Sequence, residues 1–291
     1  MSEYKFFSYD MSDLSRLPQR SADSNKGTFG RVLCVCGSYG MAGAAYLAAK
    51  AVLRTGAGLC EILTPRENLP ILQTLLPEAI VCAYDGEEPD LLAVEKAVLR
   101  ADAIVLGCGI GVTRASLSVV GRVLRCSEIP TVIDADALNI ISRNPSLKKY
   151  LKGRIITPHP MEMSRLTSQP VSEITAFPDE VCHSFAEKYG CVCALKGHKT
   201  RVSDGTESIY VNCSGNSGMA TAGSGDVLAG IIGGILSQGR ASDMSPMEAT
   251  CLGVYIHGLC GDVAATQLGE YSLMASDIIS SLPKVLKQIK G

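Results

Sequence analysis

Short apolar runs alternate with longer, helix-patterned segments along most of the chain. Residues 31–38, RVLCVCGS, are almost continuously apolar and end in glycine. Such a run is typical of a strand buried on both faces, as strands of parallel sheets are. Residues 43–55 are rich in alanine with helical spacing and stop before Gly56. This alternation predicts an α/β protein with a doubly wound sheet and helices on both faces.

The pattern extends over most of the sequence. Further strands are predicted at residues 58–64, 80–83, 103–106, 131–134, 154–157 and 191–195, and helices at 91–100, 115–125 and 179–189. Short strands at 199–203 and 208–212 flank Asp204-Gly205, a strong hairpin signal. Long helices are predicted at 226–237, 246–267 and 275–289. Residues 1–26 are expected to be irregular. Since no Pro-, Gly- or Ser-rich linker interrupts the pattern, we expect a single domain over residues 1–291, with three α/β/α layers and a mostly parallel central sheet.

Composition and charge exclude several classes of protein. The 291 residues carry 27 Lys and Arg against 29 Asp and Glu, a formal charge of −2. The sequence therefore has no excess or run of basic residues of the kind that binds nucleic acid or an anionic membrane. We expect no secretory signal and no membrane span, because apolar runs stay far below about 20 residues. Twelve cysteines are scattered without a CxxC motif, which favours a reducing, cytoplasmic location over disulfides or zinc.

Two C-x-C pairs lie in predicted strands: Cys34 with Cys36, and Cys191 with Cys193. Successive side chains of a strand point to opposite faces. We therefore expect each pair to lie on one face, buried as small apolar side chains.

The most informative segment is residues 212–230, NCSGNSGMATAGSGDVLAG, which precedes a predicted helix. Backbone amides of Gly223, Ser224 and Gly225 are expected to converge at the helix start, where they would bind a phosphate. Asp226 would repel that phosphate, so its presence needs a reason. One reason is a general base for a hydroxyl that attacks a phosphoryl group. The alternative is an aspartate that caps the helix.

Five segments together resemble the ADP/ATP-dependent NAD(P)H-hydrate dehydratases of the ribokinase-like superfamily. They are GSYGMAGAAYLAAKAVLRTGAGL (37–59), VIDADAL (132–138), ITPHPMEMSRL (156–166), KGHKT (196–200) and GNSGMATAGSGDVLAGIIGG (215–234). They follow the family's order and span nearly the whole chain beyond residue 27. The chain departs from the family at Cys108 and Ser217, where proline is usual, and at Ser224, where threonine is usual. The two lost prolines leave the backbone less restricted, and serine for threonine keeps the hydroxyl.

The resemblance implies a ribokinase-like fold and repair of hydrated nicotinamide nucleotides. The expected reaction is the ADP-dependent dehydration of (6S)-NADHX or NADPHX to NADH or NADPH, with release of AMP and phosphate. ATP is the alternative phosphoryl donor, and Mg²⁺ is expected to accompany the nucleotide. Family resemblance further implies a homo-oligomer, such as a tetramer, and a dehydratase domain without a fused epimerase. Such a domain would be paired functionally with a separate NAD(P)HX epimerase.

The resemblance also implies which residues form the site. Asp226 would be the catalytic base. The NAD(P)HX-binding residues would be Ala44, Gly109, Gly111, His159 and Asp226. The ADP- or ATP-binding residues would be Lys196, Gly197, His198, Lys199, Thr200, Asn216, Gly223, Ser224 and Gly225. Glu162 would hold Mg²⁺ through water.

Several of these residues also have a structural interpretation from the sequence alone. Pro158 and Pro160 hold His159 in an extended turn after a strand, which favours a site residue over a packing histidine. Glu162 starts the next helix, where a carboxylate also suits the helix dipole. Lys196 follows a buried strand, although a lysine at a turn is usually solvated. His198 is expected to be exposed rather than catalytic.

Asp134 and Asp136 lie together after a strand. They could organise the site, or they could form loop hydrogen bonds and helix caps. The sequence leaves both roles open for these carboxylates.

Two other functions stay open at this stage. A small-molecule kinase of the same superfamily, acting on a vitamin precursor or a sugar, would use the same aspartate and glycine-rich segment. A non-catalytic adenine-nucleotide-binding protein is the second alternative, against which the intact Asp226 speaks.

Overall fold

A computed structural model describes residues 4–241 and 243–289. The strands in this part of the chain are β1 (Lys5–Phe7), β2 (Arg31–Val35), β3 (Leu59–Pro65), β4 (Ile80–Tyr84), β5 (Ala103–Leu106), β6 (Thr131–Ile133), β7 (Ile155–Ile156), β8 (Val192–Leu195), β9 (Arg201–Ser203) and β10 (Ser208–Val211). The α-helices are α1 (Ala42–Thr55), α2 (Leu69–Leu75), α3 (Leu91–Val98), α4 (Arg114–Cys126), α5 (Asp136–Arg143), α6 (Pro160–Thr167), α7 (Val171–Ala176), α8 (Pro178–Tyr189), α9 (Ser224–Ser237), α10 (Pro246–Leu268) and α11 (Ala275–Leu286).

The strands form one sheet in the order β1-β10-β9-β8-β7-β6-β5-β2-β3-β4. Strand β9 runs antiparallel to both neighbours, β8 and β10, while the other neighbouring strands pair in parallel. The β9–β10 pair is the hairpin predicted from Asp204-Gly205. This mostly parallel sheet confirms the predicted α/β architecture.

Both faces of the sheet are covered by helices. Along β2 and just beyond it, Val32, Cys34 and Cys36 lie in one apolar core, while Leu33 and Val35 lie in the other. Helices α1, α9, α10 and α11 contribute to the first core, and α3, α4, α5, α6 and α8 to the second. The three layers follow from this alternation, because successive side chains of the central strands face opposite helix layers.

The two C-x-C pairs lie as their spacing predicts. Cys34 and Cys36 are both in the first core, and Cys191 and Cys193 are both in the second. All four are buried free thiols.

The segment at residues 1–26, which we expected to be irregular, contains two short regular elements in its described part. Strand β1 pairs in parallel with β10, and Met11–Arg16 forms a 3-10 helix with a capping box at Asp10. The sequence signal for β1 is weak because its three residues, Lys5–Phe7, are all exposed. Backbone pairing with the edge of the sheet creates the strand, and apolar patterning does not. Residues 1–3, 242 and 290–291, which our expected domain range includes, lie outside the described residues.

Close packing of α1 against α9 positions the start of α9. A Cβ atom at Gly230 would lie 2.3 Å from the carbonyl oxygen of Ala48. Only glycine therefore allows this approach of the two helices. Among the described helices, none has the length and apolar character needed to cross a membrane.

Candidate active site

The predicted site residues lie where parallel strands end. Asp134 follows β6, His159 lies three residues after β7, and Lys196 follows β8 directly. The amide of Lys196 donates to the carbonyl oxygen of Pro158 at 2.8 Å, which holds the two strand ends together. In open α/β sheets, ligands bind at this edge. The structure therefore gathers residues that are more than 60 positions apart in sequence.

Asp226 lies in the first turn of α9 but does not cap the helix. The helix begins at Ser224, two residues earlier than predicted, and its N-cap is Gly223 in a left-handed conformation with φ of 86°. The pKa of Asp226 is raised to about 6, chiefly by burial and then by nearby Asp134, while a hydrogen bond from the Cys108 thiol opposes the rise. A carboxyl group with this pKa is well suited to accept a proton near neutral pH.

The expected phosphate nest is smaller than the sequence suggested. The amide of Ser224 donates to the carbonyl oxygen of Thr221 at 3.3 Å, so it is engaged in a turn. Gly225 lies beside two charged groups: a Cβ at this position would be 3.3 Å from Nζ of Lys196 and 3.5 Å from Oδ2 of Asp134. The start of α9 thus approaches a cation that can attract phosphate.

Lys196 lies between two buried carboxylates. Its Nζ is 2.7 Å from Oδ1 of Asp134 and 3.8 Å from Oε2 of Glu162. Burial alone would lower the pKa of Lys196, but Asp134 and Glu162 outweigh that effect and raise it. Lys196 is therefore held as a cation at the strand ends, and its pairing with Asp134 favours the first of the two possible roles of Asp134, that of organising the site.

His159 and Glu162 form a capping box at the start of α6. The imidazole Nδ1 of His159 accepts the amides of Met161 and Glu162, and the Glu162 carboxylate accepts the amide of His159 at 2.9 Å. Burial lowers the pKa of His159, and Lys196 lowers it further. Because Nδ1 accepts, the neutral ring carries its proton on Nε2, 3.3 Å from Oε1 of Glu162. The helix-start role of Glu162 is thus confirmed.

The backbone between Asp134 and Asp136 is strained. Ala135 has φ of 51° and ψ of −121°, which is unfavourable for a residue with a Cβ. This conformation sends Asp134 toward Lys196 and lets Oδ2 of Asp136 accept the amide of Gly111 at 2.9 Å. Asp136 therefore takes the alternative role of loop hydrogen bonding.

Three residues expected to border the substrate lie close to one another. A Cβ at Gly109 would be 2.7 Å from the Cβ of Ala44, and one at Gly111 would be 3.6 Å from Oγ of Ser38. Gly109 and Gly111 both have left-handed φ angles, so glycine is required at each. The loop after β5 therefore packs against the start of α1.

A cavity of about 760 Å³ opens at the start of α9 and beside Lys196. Its volume is within the range typical of small-molecule sites. The predicted site residues that line it are His159, Lys196, Gly197, His198, Thr200, Asn216, Ser224 and Gly225. Asp226, Ala44, Gly109 and Gly111 are not among its lining residues. A second cavity, of about 530 Å³, lies between α6, α7 and α8 and includes none of the predicted site residues.

Lys199, Gly223 and His198, three predicted nucleotide-binding residues, lie in different places relative to the cavity. Lys199 is exposed, and its carbonyl oxygen accepts from the Arg201 guanidinium. Gly223 shapes the turn before α9 instead of lining the cavity. His198 is exposed at the cavity, as expected.

Sequence reasoning missed the wall of the cavity that α10 supplies. This wall comprises Val254, His257 and Gly258. Asp262, one turn further on, accepts the amide of Gly215 at 2.8 Å and the side-chain amide of Asn216 at 3.0 Å. The sequence gives little indication of this wall, because α10 is largely apolar and only His257 and Asp262 stand out in it.

The described residues do not contain a cluster of three His, Cys, Asp or Glu side chains that could hold a metal. Magnesium is usually bound through one or two carboxylates together with substrate phosphates. The buried Glu162 and Asp134 carboxylates beside the cavity fit that second arrangement.

The sheet topology, the strand-end cluster and the cavity define a ribokinase-like α/β protein with a nucleotide-sized site. A solved structure of a ribokinase-like superfamily protein from Enterococcus faecalis superposes with a TM-score of 0.86 at 30% identity, covering 98% of this chain and 96% of that one. Residues 32–284 match the family model described as NAD(P)H-hydrate dehydratase, and the chain belongs to this family.

Curated relatives agree with the family assignment. An ADP-dependent (S)-NAD(P)H-hydrate dehydratase from Neisseria meningitidis is 38% identical over 267 residues, which are 89% of this chain and 86% of that protein. A bifunctional NAD(P)H-hydrate repair enzyme from Moorella thermoacetica is 38% identical over 95% of this chain. The chain spans about half, 53%, of that relative's length. An ADP/ATP-dependent NAD(P)H-hydrate dehydratase from Bacillus subtilis, crystallised with ATP and Mg²⁺, has a TM-score of 0.81 at 28% identity, covering 97% and 98% of the two chains.

Proposed function

We propose that this protein is a single-domain, ADP-dependent (S)-NAD(P)H-hydrate dehydratase that converts NADHX or NADPHX to NADH or NADPH. The observation that carries the proposal is the position of Asp226, a half-buried carboxyl with a pKa of about 6 next to a nucleotide-sized cavity. The names of the relatives supply the substrate class. AMP and phosphate are the expected products.

Hydroxide is a poor leaving group, so the hydroxyl at C6 of the hydrate must first be activated. We propose that Asp226 takes the proton of that hydroxyl as its oxygen attacks the terminal phosphoryl group of ADP. AMP leaves in that transfer, and loss of phosphate from C6 together with a proton from C5 then restores the double bond of the reduced nicotinamide. Asp226 would be in its basic form at neutral pH, as this step requires.

Lys196 and the start of α9 would stabilise the charge of the transferring phosphoryl group. Lys196 holds its positive charge because Asp134 pairs with it at 2.7 Å. The helix N-terminus at Ser224 and Gly225 adds the favourable end of the helix dipole. These groups are fixed before the nucleotide arrives, so little reorganisation is needed during the reaction.

Magnesium would accompany the nucleotide phosphates and offset part of their charge. We propose that Glu162 meets that ion through a water molecule. Support comes from the position of Glu162 beside Lys196 and from the ATP and Mg²⁺ used to crystallise the Bacillus subtilis relative.

We also propose a cytoplasmic homo-oligomer that works with a separate NAD(P)HX epimerase. All twelve cysteines are free thiols, which suits a reducing compartment. The bifunctional relatives, whose names describe a combined repair enzyme, suggest the pairing with an epimerase. Light scattering after size-exclusion chromatography would test the oligomer.

The decisive experiment follows absorbance at 340 nm with chemically prepared NADHX, Mg²⁺ and either ADP or ATP. A rise that requires both enzyme and nucleotide would establish the activity and identify the donor. Parallel assays with NADPHX would measure the preference between the two hydrates.

The alternative functions give different results in the same experiment. A kinase would accumulate a stable phosphoester of an alcohol acceptor and would not increase absorbance at 340 nm. A non-catalytic binding protein would bind ADP without any turnover. In that case Asp226→Ala could alter the affinity for ADP but would have no turnover to lower.

A further inference from the structure

One residue of the cavity wall belongs to none of the five sequence segments that resemble the family. His257 lies within α10, and its side chain lines the cavity beside Ser224. Nε2 of the His257 ring is 3.3 Å from Oγ of Ser224, the first residue of α9. A histidine of one helix therefore contacts the hydroxyl at the start of another, where phosphate is expected to bind.

The position of His257 is fixed by the packing of α10 on both sides. A Cβ at Gly253 would lie 2.6 Å from Cγ1 of Ile232, so α10 lies close against α9. A Cβ at Gly258 would lie 2.1 Å from Oγ of Ser214, so α10 is also close to the loop that contributes Ser214 to the cavity wall. His257 can therefore shift little relative to Ser224.

His257 is neutral at physiological pH. Its pKa is lowered to about 4, chiefly by burial and also by Lys196, and a hydrogen bond with the Ser224 backbone opposes this only in part. A neutral imidazole has one donor and one acceptor nitrogen. It can therefore pair with a hydroxyl without repelling Lys196.

We propose that His257 is a positioning residue for nucleotide binding, which holds the Ser224 hydroxyl toward the phosphate of the bound nucleotide. The identity of that nucleotide rests on the proposed function. A hydroxyl that is already held loses less rotational freedom when the ligand binds than a hydroxyl that turns freely. His257 thus acts through Ser224 and does not itself transfer a proton.

A double-mutant cycle on ADP affinity tests this role. Calorimetry would give the dissociation constant of ADP for the wild type, Ser224→Ala, His257→Leu and the double variant. Each single substitution should weaken binding by about threefold to tenfold, the usual value of one hydrogen bond. In the Ser224→Ala background, His257→Leu should have no further effect, because the group it orients is gone. His257→Gln, which keeps a donor and an acceptor, should restore most of the affinity.

A purely structural role for His257 predicts a different result. In that case His257→Leu would weaken ADP binding equally in both backgrounds, and this additivity would overturn the proposal, as would an unchanged affinity in His257→Leu. The melting temperature of each variant checks the fold. If His257→Leu does not fold, His257→Asn replaces it, because its shorter side chain keeps polarity but cannot reach Ser224.

The matched control is His183→Leu. The His183 ring lies against Tyr4, with 5.0 Å between ring centroids, and is not part of the cavity. This variant should bind ADP like the wild type.

The cycle also separates this inference from the proposed function. ADP binding is measured without NADHX, so a wild type that binds ADP but shows no turnover contradicts only the dehydratase activity. ATP is titrated in the same way. A folded wild type that binds neither nucleotide overturns both proposals.

Discussion

Asp226 is a carboxyl group held where its charge is unfavourable. Its pKa in the folded protein is about 6 against an ordinary value of 3.8, because burial and Asp134 both disfavour the charged form. A raised carboxyl pKa means that the folded state binds the proton more tightly than the unfolded state does. The contribution of Asp226 to stability therefore falls as the pH rises from about 4 to about 6. This loss of stability accompanies the placement of a base next to the cavity.

Asp226→Asn should separate catalysis from stability. We expect kcat to fall by at least about 100-fold, because the general base is lost. The melting temperature at pH 7 should rise by a few degrees, since a half-buried charge that the folded state disfavours is removed. The 340 nm assay and thermal unfolding would measure the two effects. Asp23→Asn, at an exposed position, should change neither, and wild-type turnover in Asp226→Asn would rule out the proposed role.

The pH profile should report the same carboxyl group. We expect kcat/KM to decline as the pH falls below about 6, because protonated Asp226 cannot act as a base. Asp134→Asn removes a charge that raises the pKa of Asp226, so the acid limb should move to lower pH. An acid limb that stays in place in Asp134→Asn would contradict the coupling between the two carboxylates.

At the residue scale, the sequence predicted groups with a strong local signal. Asp226, His159 and Lys196 each lie in a distinctive segment next to glycine or proline. The pairing of Lys196 with Asp134 could not be predicted, because 62 positions separate them and either residue could have been solvated. His257 was missed for a similar reason, since only the packing of α10 brings it to Ser224.

At the scale of elements, the junction between β6 and α5 stores strain. Ala135 adopts a positive φ that residues with a Cβ rarely take, and the contacts of Asp134 and Asp136 hold it there. Such strain costs about 1–3 kcal/mol. Glycine would relieve it while losing some chain entropy.

Ala135→Gly should therefore stabilise the protein by about 0.5–2 kcal/mol, the strain relieved minus the entropic cost of glycine. Urea unfolding would measure the change. Ala137→Gly, two residues later within α5, should destabilise the protein instead, because glycine is unfavourable in a helix. Equal losses in both variants would show that Ala135 is not strained.

The contact between α1 and α9 gives a second prediction at this scale. Gly230→Ala should lower the free energy of unfolding by about 1–3 kcal/mol or more, because its methyl group would overlap the Ala48 carbonyl. Gly43→Ala is the matched control, since a Cβ at this exposed helix position meets no atom within 4 Å. Alanine there should raise stability by about 0.5–1 kcal/mol. Denaturant titrations that gave the same sign for both variants would contradict the packing argument.

Length influenced which elements the sequence revealed. The long helices α1, α9, α10 and α11 were all predicted from their apolar patterns. Helices α2 and α7, with seven and six residues, are too short for a helical period to stand out and were not predicted. Helix α5 was also missed, although α3, which has the same eight residues, was predicted. Strand β7 was predicted with four residues but has two, because the flanking residues 154 and 157 are buried as well.

At the scale of the whole molecule, β1 joins an edge of the sheet to the nucleotide cavity. The ring of Phe7 lies 5.5 Å from that of Tyr210, and the Tyr210 hydroxyl donates to Asn212 at 3.0 Å. The side-chain amide of Asn212 in turn donates to the carbonyl oxygen of Ser214 at 2.8 Å. Asn212 and Ser214 both line the cavity. The edge strand therefore supports a wall of the site.

Phe7→Ala should accordingly lower the melting temperature and weaken ADP binding. Phe6→Ala, on the neighbouring and more exposed residue, should have a smaller effect on both. Differential scanning fluorimetry with and without ADP would measure both quantities. If Phe6→Ala proved the more harmful of the two, the support of the cavity by β1 would be contradicted.

The overall α/β architecture was predictable because a parallel sheet imposes its own pattern. Strands buried on both faces must be apolar throughout, and each needs a crossover helix before the next parallel strand. Strand order does not follow from such a pattern. The insertion of β10 between β1 and β9 depends on edges that only the assembled sheet presents.

The pairing of β1 with β10 also has a consequence for protein synthesis. Lys5 pairs with Ser208, so about 200 residues must be translated before β1 meets its partner. At typical elongation rates of about 5–20 residues per second, this interval lasts about 10–40 seconds. During that time the backbone groups of β1 can bind the exposed edge of another nascent strand. The ribosome-bound chain therefore has a period of exposure that chaperones at the exit tunnel are suited to cover.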